Sequence, residues 1–244
     1  MPSADDVRDG QRATWAGLSA GWEKWDSVIM DQLGPVGAAM IERLDLAEDQ
    51  RHLDIASGTG EPGLTIARLV PKGRVVLTDL APEMLDIAVR RARVQGVTNI
   101  ETKVCSADDL PFDDATFDSV SVRFGYMFFP DVAKATAEFT RVLKPGGRLC
   151  SSVWVKPDEN PWTAIAMQAI ATEAVLAPPD PDGPNMFRCA AARRMGVRRG
   201  GRRAPSQRSS RRGGDPVRAG VGRPSRWRPS TEPRHPYRPG RRDH

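Results

Sequence analysis

Apolar residues over the first forty-five positions recur at helical spacing. Trp15, Leu18, Trp22 and Trp25 stand at offsets of three and four, which puts them on one face of a helix. Gly34-Pro35 interrupts this pattern before Val36 to Leu46, so residues 4–45 are expected to form helices broken at that pair. From residue 52 the period changes to short apolar runs alternating with helical ones. HLDIA (52–56), RVVLTD (74–79), IETKVCSA (100–107), FDSVSVRFG (117–125) and RLCSSVWV (148–155) predict strands. Between them PGLTIARLV, PEMLDIAVRRARVQ and PDVAKATAEFTRVL predict helices, each with proline at its first position, where a missing N–H costs little. Gly96 and Gly146-Gly147 supply stops or turns. Strand and helix alternating in this way predict an α/β fold, a doubly wound and mostly parallel sheet preceded by helices, with ligands at the carboxyl ends of the strands.

The pattern stops near residue 191. AARRMGVRRGGRRAPSQRSSRRGGDPVRAG has no apolar period and too little apolar area to offset the entropy of ordering, so residues 191–244 are expected to be disordered. Three parts follow: a helical cap over 1–50, an α/β domain over 51–190 and a tail over 191–244.

Composition sharpens that division. The 244 residues suit one α/β domain with a substantial core. The formal charge of +5 hides opposed segments: residues 191–244 hold 17 Arg, no Lys and 3 acidic residues, whereas residues 1–190 are net acidic. Cys105, Cys150 and Cys189 are widely spaced and suggest neither a disulfide framework nor a zinc site. MPSADDVRDG is polar and acidic, and no apolar run approaches the roughly 18 residues that span a bilayer. A cytoplasmic protein without membrane insertion is the expectation.

LDIASGTGEPG (53–63) carries Gly58, Gly60 and Gly63 in the spacing G-x-G-x-x-G after a predicted strand. Gly58 and Gly60 let the backbone turn sharply and approach a ligand, and the helix over 62–70 would present its first N–H groups there. Asp79, at the end of the next strand, is placed to accept hydrogen bonds from ribose hydroxyls. A dinucleotide and another adenosine-bearing ligand both fit this much. Three features lean away from a diphosphate. Asp54 and Glu61 put negative charge at the loop. The only histidines, His52, His235 and His244, offer no obvious acid/base for hydride transfer. A helical leader of some fifty residues also precedes the loop. S-adenosylmethionine, a sulfonium cation without phosphate, meets the charge argument.

Five motifs in order carry a resemblance: LDIASGTG (53–60), LTDLAPEML (77–85), SADDLPFDDATFD (106–118), VRFGYMFFPD (122–131) and RVLKPGGRL (141–149). The sequence resembles the class I S-adenosylmethionine-dependent methyltransferases, in particular the broad family that includes the ubiquinone/menaquinone C-methyltransferases. The resemblance implies a Rossmann-like sheet. It also implies that Asp54 and the backbone of Ser57, Gly58, Thr59 and Gly60 surround the methionine part, and that Asp79 binds the ribose diol. Leu80 and Met84 would flank the adenine, although Met84 also reads as an ordinary apolar residue of its helix. Where the family often has an acidic residue this chain has Ser106, which leaves the adenine amino group to Ala107 and Asp108. The strand end from Arg123 would face the transferred methyl, with Arg123 among the cofactor-binding residues or paired with a carboxylate. Tyr126 is the candidate to orient or deprotonate an acceptor, and Phe128 or Phe129 to line its pocket, although each of these aromatics also reads as a core residue.

In-line methyl displacement asks chiefly that the acceptor be held behind the methyl carbon. The implied function is methyl transfer to a small-molecule acceptor, apolar or aromatic given that lining. In the resembling family GPxMFR-like text leads to a helix and two further strands; here FRCA leads to the Arg-rich tail, so those strands are expected to be missing. Two origins account for the tail: a reading-frame shift near residue 190 in a GC-rich gene, or a basic arm drawn to nucleic acid or acidic surfaces. Rival readings are a nucleic-acid methyltransferase anchored by the tail, an NAD-dependent oxidoreductase, and a non-catalytic remnant that binds cofactor.

Overall fold

The computed structural model describes residues 3–173 and 184–189. Its strands are β1 (Arg51–Ile55), β2 (Arg74–Asp79), β3 (Ile100–Val104), β4 (Phe117–Arg123) and β5 (Leu143–Ser152), and its helices are α1 (Ala4–Lys24), α2 (Asp26–Leu44), α3 (Gly63–Leu69), α4 (Pro82–Val94), α5 (Val132–Val142) and α6 (Pro161–Glu173). The strands form one sheet in the order β3-β2-β1-β4-β5, and every pairing is parallel. This is the doubly wound, Rossmann-like α/β fold. The chain winds outward from β1 to β3 and then crosses back to β4, so β1 and β4 are neighbours at the switch point, where such sheets open a crevice.

Alternation along β1 and β2 divides the core. Leu53, Ile55 and Val76 pack with Phe117, Val120, Val122, Phe139 and Val142 on the α5 face. Val75 and Leu77 pack with Leu44, Leu64, Ile66, Leu85 and Ala88, from α2, α3 and α4, on the other. The loop between β3 and β4 closes the α5 face, with Phe112 edge-on to Phe117 at 5.1 Å.

Several boundaries depart from the sequence expectation. The leading helices break at Trp25, not at Gly34-Pro35; Trp25 turns to φ −101° and ψ 11°, while Pro35 lies inside α2. Burial of Gly37, Met40 and Leu44 holds α2 continuous through the proline. Of the three helices expected to start with proline, only α4 does, at Pro82: Pro62 is the residue before α3, and α5 is capped by Asp131, whose side chain accepts from Lys134 N–H at 2.8 Å. β3 ends at Val104 and not at 107. β4 ends at Arg123 because Phe124 adopts φ 59° and leaves the strand direction. β5 begins at Leu143, and a register shift opposite Phe117–Ser119 absorbs the Pro145-Gly146-Gly147 stretch that read as a turn. Proline is tolerated there because β5 is the last strand in the order and carries an irregularity. No described helix is long and apolar enough to cross a membrane. The tail expected over 191–244 lies outside the described residues.

Candidate functional site

A cavity of about 610 Å³ opens above the carboxyl ends of β1, β2 and β4 and is covered by α1 and α2. One part of its wall is Ser57, Gly58, Thr59, Asp79, Leu80, Met84 and Ala107. The other part is aromatic: Trp15 and Trp22 from α1, Phe124, Phe128 and Phe129 after β4, and Trp154 after β5. Both central strands end in a left-handed residue that is not glycine, Ala56 at φ 51° and Phe124 at φ 59°. Gly125 lets the two ends meet, since a Cβ there would lie 2.9 Å from the Ala56 Cβ.

Asp79 is nearly buried and braces the glycine loop, its Oδ2 accepting from Gly58 N–H at 2.9 Å and its Oδ1 from Ala81 N–H at 3.0 Å. Burial raises its carboxyl above the ordinary carboxylate range, and the backbone bonds oppose that rise. α1 is fastened across the cavity by Arg8, whose Nη2 and Nε reach the Asp108 oxygens at 3.0 and 3.3 Å. Burial works against ionising Asp108, yet the bonds from Arg8 and Ser106 hold its carboxyl below the usual range.

The start of α3 differs from the expectation for a nucleotide-binding helix. Gly63 N–H donates to Asp54 Oδ2 at 3.0 Å, Leu64 N–H to the Gly60 carbonyl at 2.7 Å and Thr65 N–H to Glu61 Oε2 at 3.3 Å. These first three amides are therefore spent inside the protein and are not presented to a ligand. Gly63 itself serves packing: a Cβ there would lie 2.3 Å from Leu77 Cδ2. Asp54 also lies elsewhere than expected. It is fully buried behind the loop and absent from the cavity wall, because alternation along β1 turns its side chain toward α3.

Asp54 ends a buried polar strip between β1 and β4. Ser121 Oγ–H donates to Asp54 Oδ1 at 2.5 Å, His52 Nε2 lies 2.9 Å from Ser121 Oγ, and His52 Nδ1 lies 2.8 Å from Ser119 Oγ. Register produces the strip, since His52 pairs with Ser119 and Asp54 with Ser121. Burial pushes the Asp54 carboxyl up to about 7 and the His52 imidazole down to about 3. Their effects on stability have opposite sign. Between about pH 4 and 7 folded Asp54 keeps a proton that the unfolded chain has lost, so stability falls as pH rises. From about pH 3 to 6.5 unfolded His52 holds a proton that the folded protein lacks, so stability rises with pH. The slopes offset each other over about pH 4 to 6.5. Relative to the wild type, Asp54→Asn should therefore gain stability from about pH 4 to 7 with a slope of about one proton, read by urea unfolding. A flat difference curve would contradict the buried, proton-holding carboxyl.

A family model for the ubiE/COQ5 methyltransferases matches residues 22–172. The chain belongs to the ubiE/COQ5 methyltransferase family. The demethylmenaquinone methyltransferase of Thermus thermophilus is 44% identical over 111 residues, which cover 43% of this chain and 49% of that one. The ubiquinone/menaquinone biosynthesis C-methyltransferase UbiE of Proteus mirabilis is 39% identical over 127 residues, 51% of each. The chain thus spans about half the length of the curated relatives it matches. Among solved structures, phosphoethanolamine N-methyltransferase 1 of Haemonchus contortus, in complex with phosphoethanolamine and S-adenosylhomocysteine, aligns with TM-score 0.53 at 20% identity over 61% of this chain and 32% of that one. That likeness is one of fold.

Of the residues singled out from the sequence of this family member, Ser57, Gly58, Thr59, Asp79, Leu80, Met84, Ala107 and Arg123 come together on the cavity wall. Asp54, Gly60, Asp108 and Tyr126 do not. Asp108 is turned to Arg8 and Ser106, and so is not presented to an adenine amino group. Gly60, at φ 106°, faces inward, where a Cβ would meet Leu64 Cδ1 at 2.8 Å. Tyr126 joins the core, its ring edge-on to Phe139 at 5.5 Å and its hydroxyl 3.4 Å from Thr136 Oγ1. Arg123 forms no carboxylate ion pair among the described residues: its Nε donates to the Glu61 carbonyl at 3.0 Å and its terminal nitrogens meet Met30 Sδ at 4.0 Å. Arg8, Gln11, Gln32 and Trp154 line the cavity unanticipated. Of these, only Trp154 had a sequence signal, as the next-to-last residue of the strand-like run RLCSSVWV.

Proposed function

We propose that the protein transfers a methyl group from S-adenosylmethionine to an aromatic, apolar small molecule. The observation that carries this reading is the spent N-terminus of α3: a diphosphate would find no amide donors there and the Glu61 carboxylate on the cavity wall beside them. A phosphate-free adenosyl cation needs none of those donors. The wall residues fit it. Asp79 supplies acceptors for a ribose diol, and Leu80 and Met84 an apolar slot for adenine. Ser57 Oγ is buried without a hydrogen-bond partner, and with the Arg123 guanidinium it suits the carboxylate of the methionine part.

Bound S-adenosylmethionine supplies a sulfonium methyl that a nucleophile displaces in line. The chain's own contribution is to hold the acceptor and exclude water, with α1 and α2 as the cap and the Arg8–Asp108 pair as its fastening. No described histidine lines the cavity, and the Tyr126 hydroxyl is turned into the core. Positioning therefore carries the catalysis. Tyr126→Phe should keep kcat within about threefold, whereas a loss of about 100-fold or more would make the hydroxyl a chemical participant. The relatives' names specify demethylmenaquinone, ubiquinone and menaquinone, and an aromatic wall suits reduced quinone rings of that kind. The direct test supplies tritiated S-adenosylmethionine and 1,4-naphthohydroquinone to the full chain. Label in the extracted organic product is expected; S-adenosylhomocysteine binding without transfer to any of a panel of quinols and phenols would leave only a cofactor-binding remnant.

A further inference from the structure

Phe124 is the anomaly on the cavity wall. An aromatic residue at φ 59° occupies a region that glycine enters freely and bulky residues avoid. Its backbone is fixed there, because its N–H donates to the Ser152 carbonyl at 3.0 Å and Gly125 presses against Ala56. Strain kept at a cavity wall points to use of the side chain it presents. That side chain does one visible thing. Its ring lies on Trp154 with centroids 4.5 Å apart and planes inclined by 14°, and both rings line the cavity. Most other aromatic contacts of the protein are tilted or edge-on, including Trp15 against Phe128 at 5.2 Å and 76°.

We propose that Phe124 and Trp154 together form the wall on which the acceptor stacks, and that this pair selects flat, conjugated acceptors over saturated ones of equal size. The inference rests on the methyltransferase reading above and names the residues that set its substrate class. A near-parallel pair presents a ring face, so a third planar ring extends the stack, whereas a puckered ring touches it at fewer atoms. Position supports the assignment. Phe124 follows β4, Ser57 follows β1, and β1 and β4 are adjacent strands, so the wall begins about one strand spacing, roughly 5 Å, from the loop assigned to the methionine part. The pair acts by positioning and takes no part in proton transfer.

The test is calorimetric binding of 2-naphthol and of decahydro-2-naphthol, with and without saturating S-adenosylhomocysteine, to the full chain. Wild type and Phe124→Tyr should prefer the planar alcohol by about tenfold. Phe124→Leu and Trp154→Leu should reduce that preference to near onefold while S-adenosylhomocysteine affinity stays within about twofold. A planar preference that survives both leucine variants, or none in the wild type, overturns the proposal. A wild-type protein that keeps the preference but does not bind S-adenosylhomocysteine contradicts the methyltransferase reading alone.

Discussion

Asp79→Ala should lower affinity for S-adenosylhomocysteine by about 100-fold or more. Charge-assisted hydrogen bonds contribute about 1.5 to 3 kcal/mol each, and a diol offers two, so their joint loss corresponds to at least about two decades in Kd. Asp79 also braces Gly58 N–H and Ala81 N–H, so part of the loss passes through a loosened loop. The matching control is 5′-deoxy-5′-methylthio-2′,3′-dideoxyadenosine, which lacks both hydroxyls. Its affinity should change far less in the variant, and equal losses for both ligands would mean that Asp79 serves only the loop.

Gly63→Ala should cost about 3 kcal/mol of stability and lower Tm by about 6 to 12 °C. The added Cβ would stand 2.3 Å from Leu77 Cδ2 and 2.8 Å from Asp54 Oδ2, two buried atoms that helix and strand packing hold in place. The change would also disturb the Asp54 bond that fixes the start of α3. Gly58→Ala is the contrast within the same motif. Its φ of 53° makes alanine mildly strained, but nothing lies within 4 Å of the new Cβ, so the expected cost is about 1 kcal/mol. Thermal unfolding of the two variants side by side checks the assignment, which fails if Gly58→Ala is the more damaging.

These glycines also mark how much the sequence made legible. Alternating apolar periods were enough to reach the parallel sheet, because β1, β2 and β4 are largely buried on both faces and read as short apolar runs. Element ends were less legible. Trp25, Phe124 and Leu143 set theirs through tertiary packing or an unusual φ, which local propensity does not encode. The glycine spacing located the loop but not the direction of its neighbours' side chains. Asp54 read as a charge facing the ligand, yet its place in the alternation of β1 sends it behind the loop, where burial pushes its carboxyl up to about 7. Tyr126 read as a catalytic candidate from its position after β4; the turn that follows Phe124 rotates it into the core beside Phe139. The residues that α1 brings to the cavity, Arg8 and Gln11, depend on how that helix crosses the sheet, and one sequence carries no signal for that crossing.

The central claim is that this crevice accepts an adenosyl ligand without phosphates because α3 has no amides left to give one. Parallel calorimetric titrations of the full chain with S-adenosylhomocysteine and NAD test it most directly. The account predicts saturable binding of S-adenosylhomocysteine and at least about 100-fold weaker binding of NAD. Equal or tighter binding of NAD would contradict it.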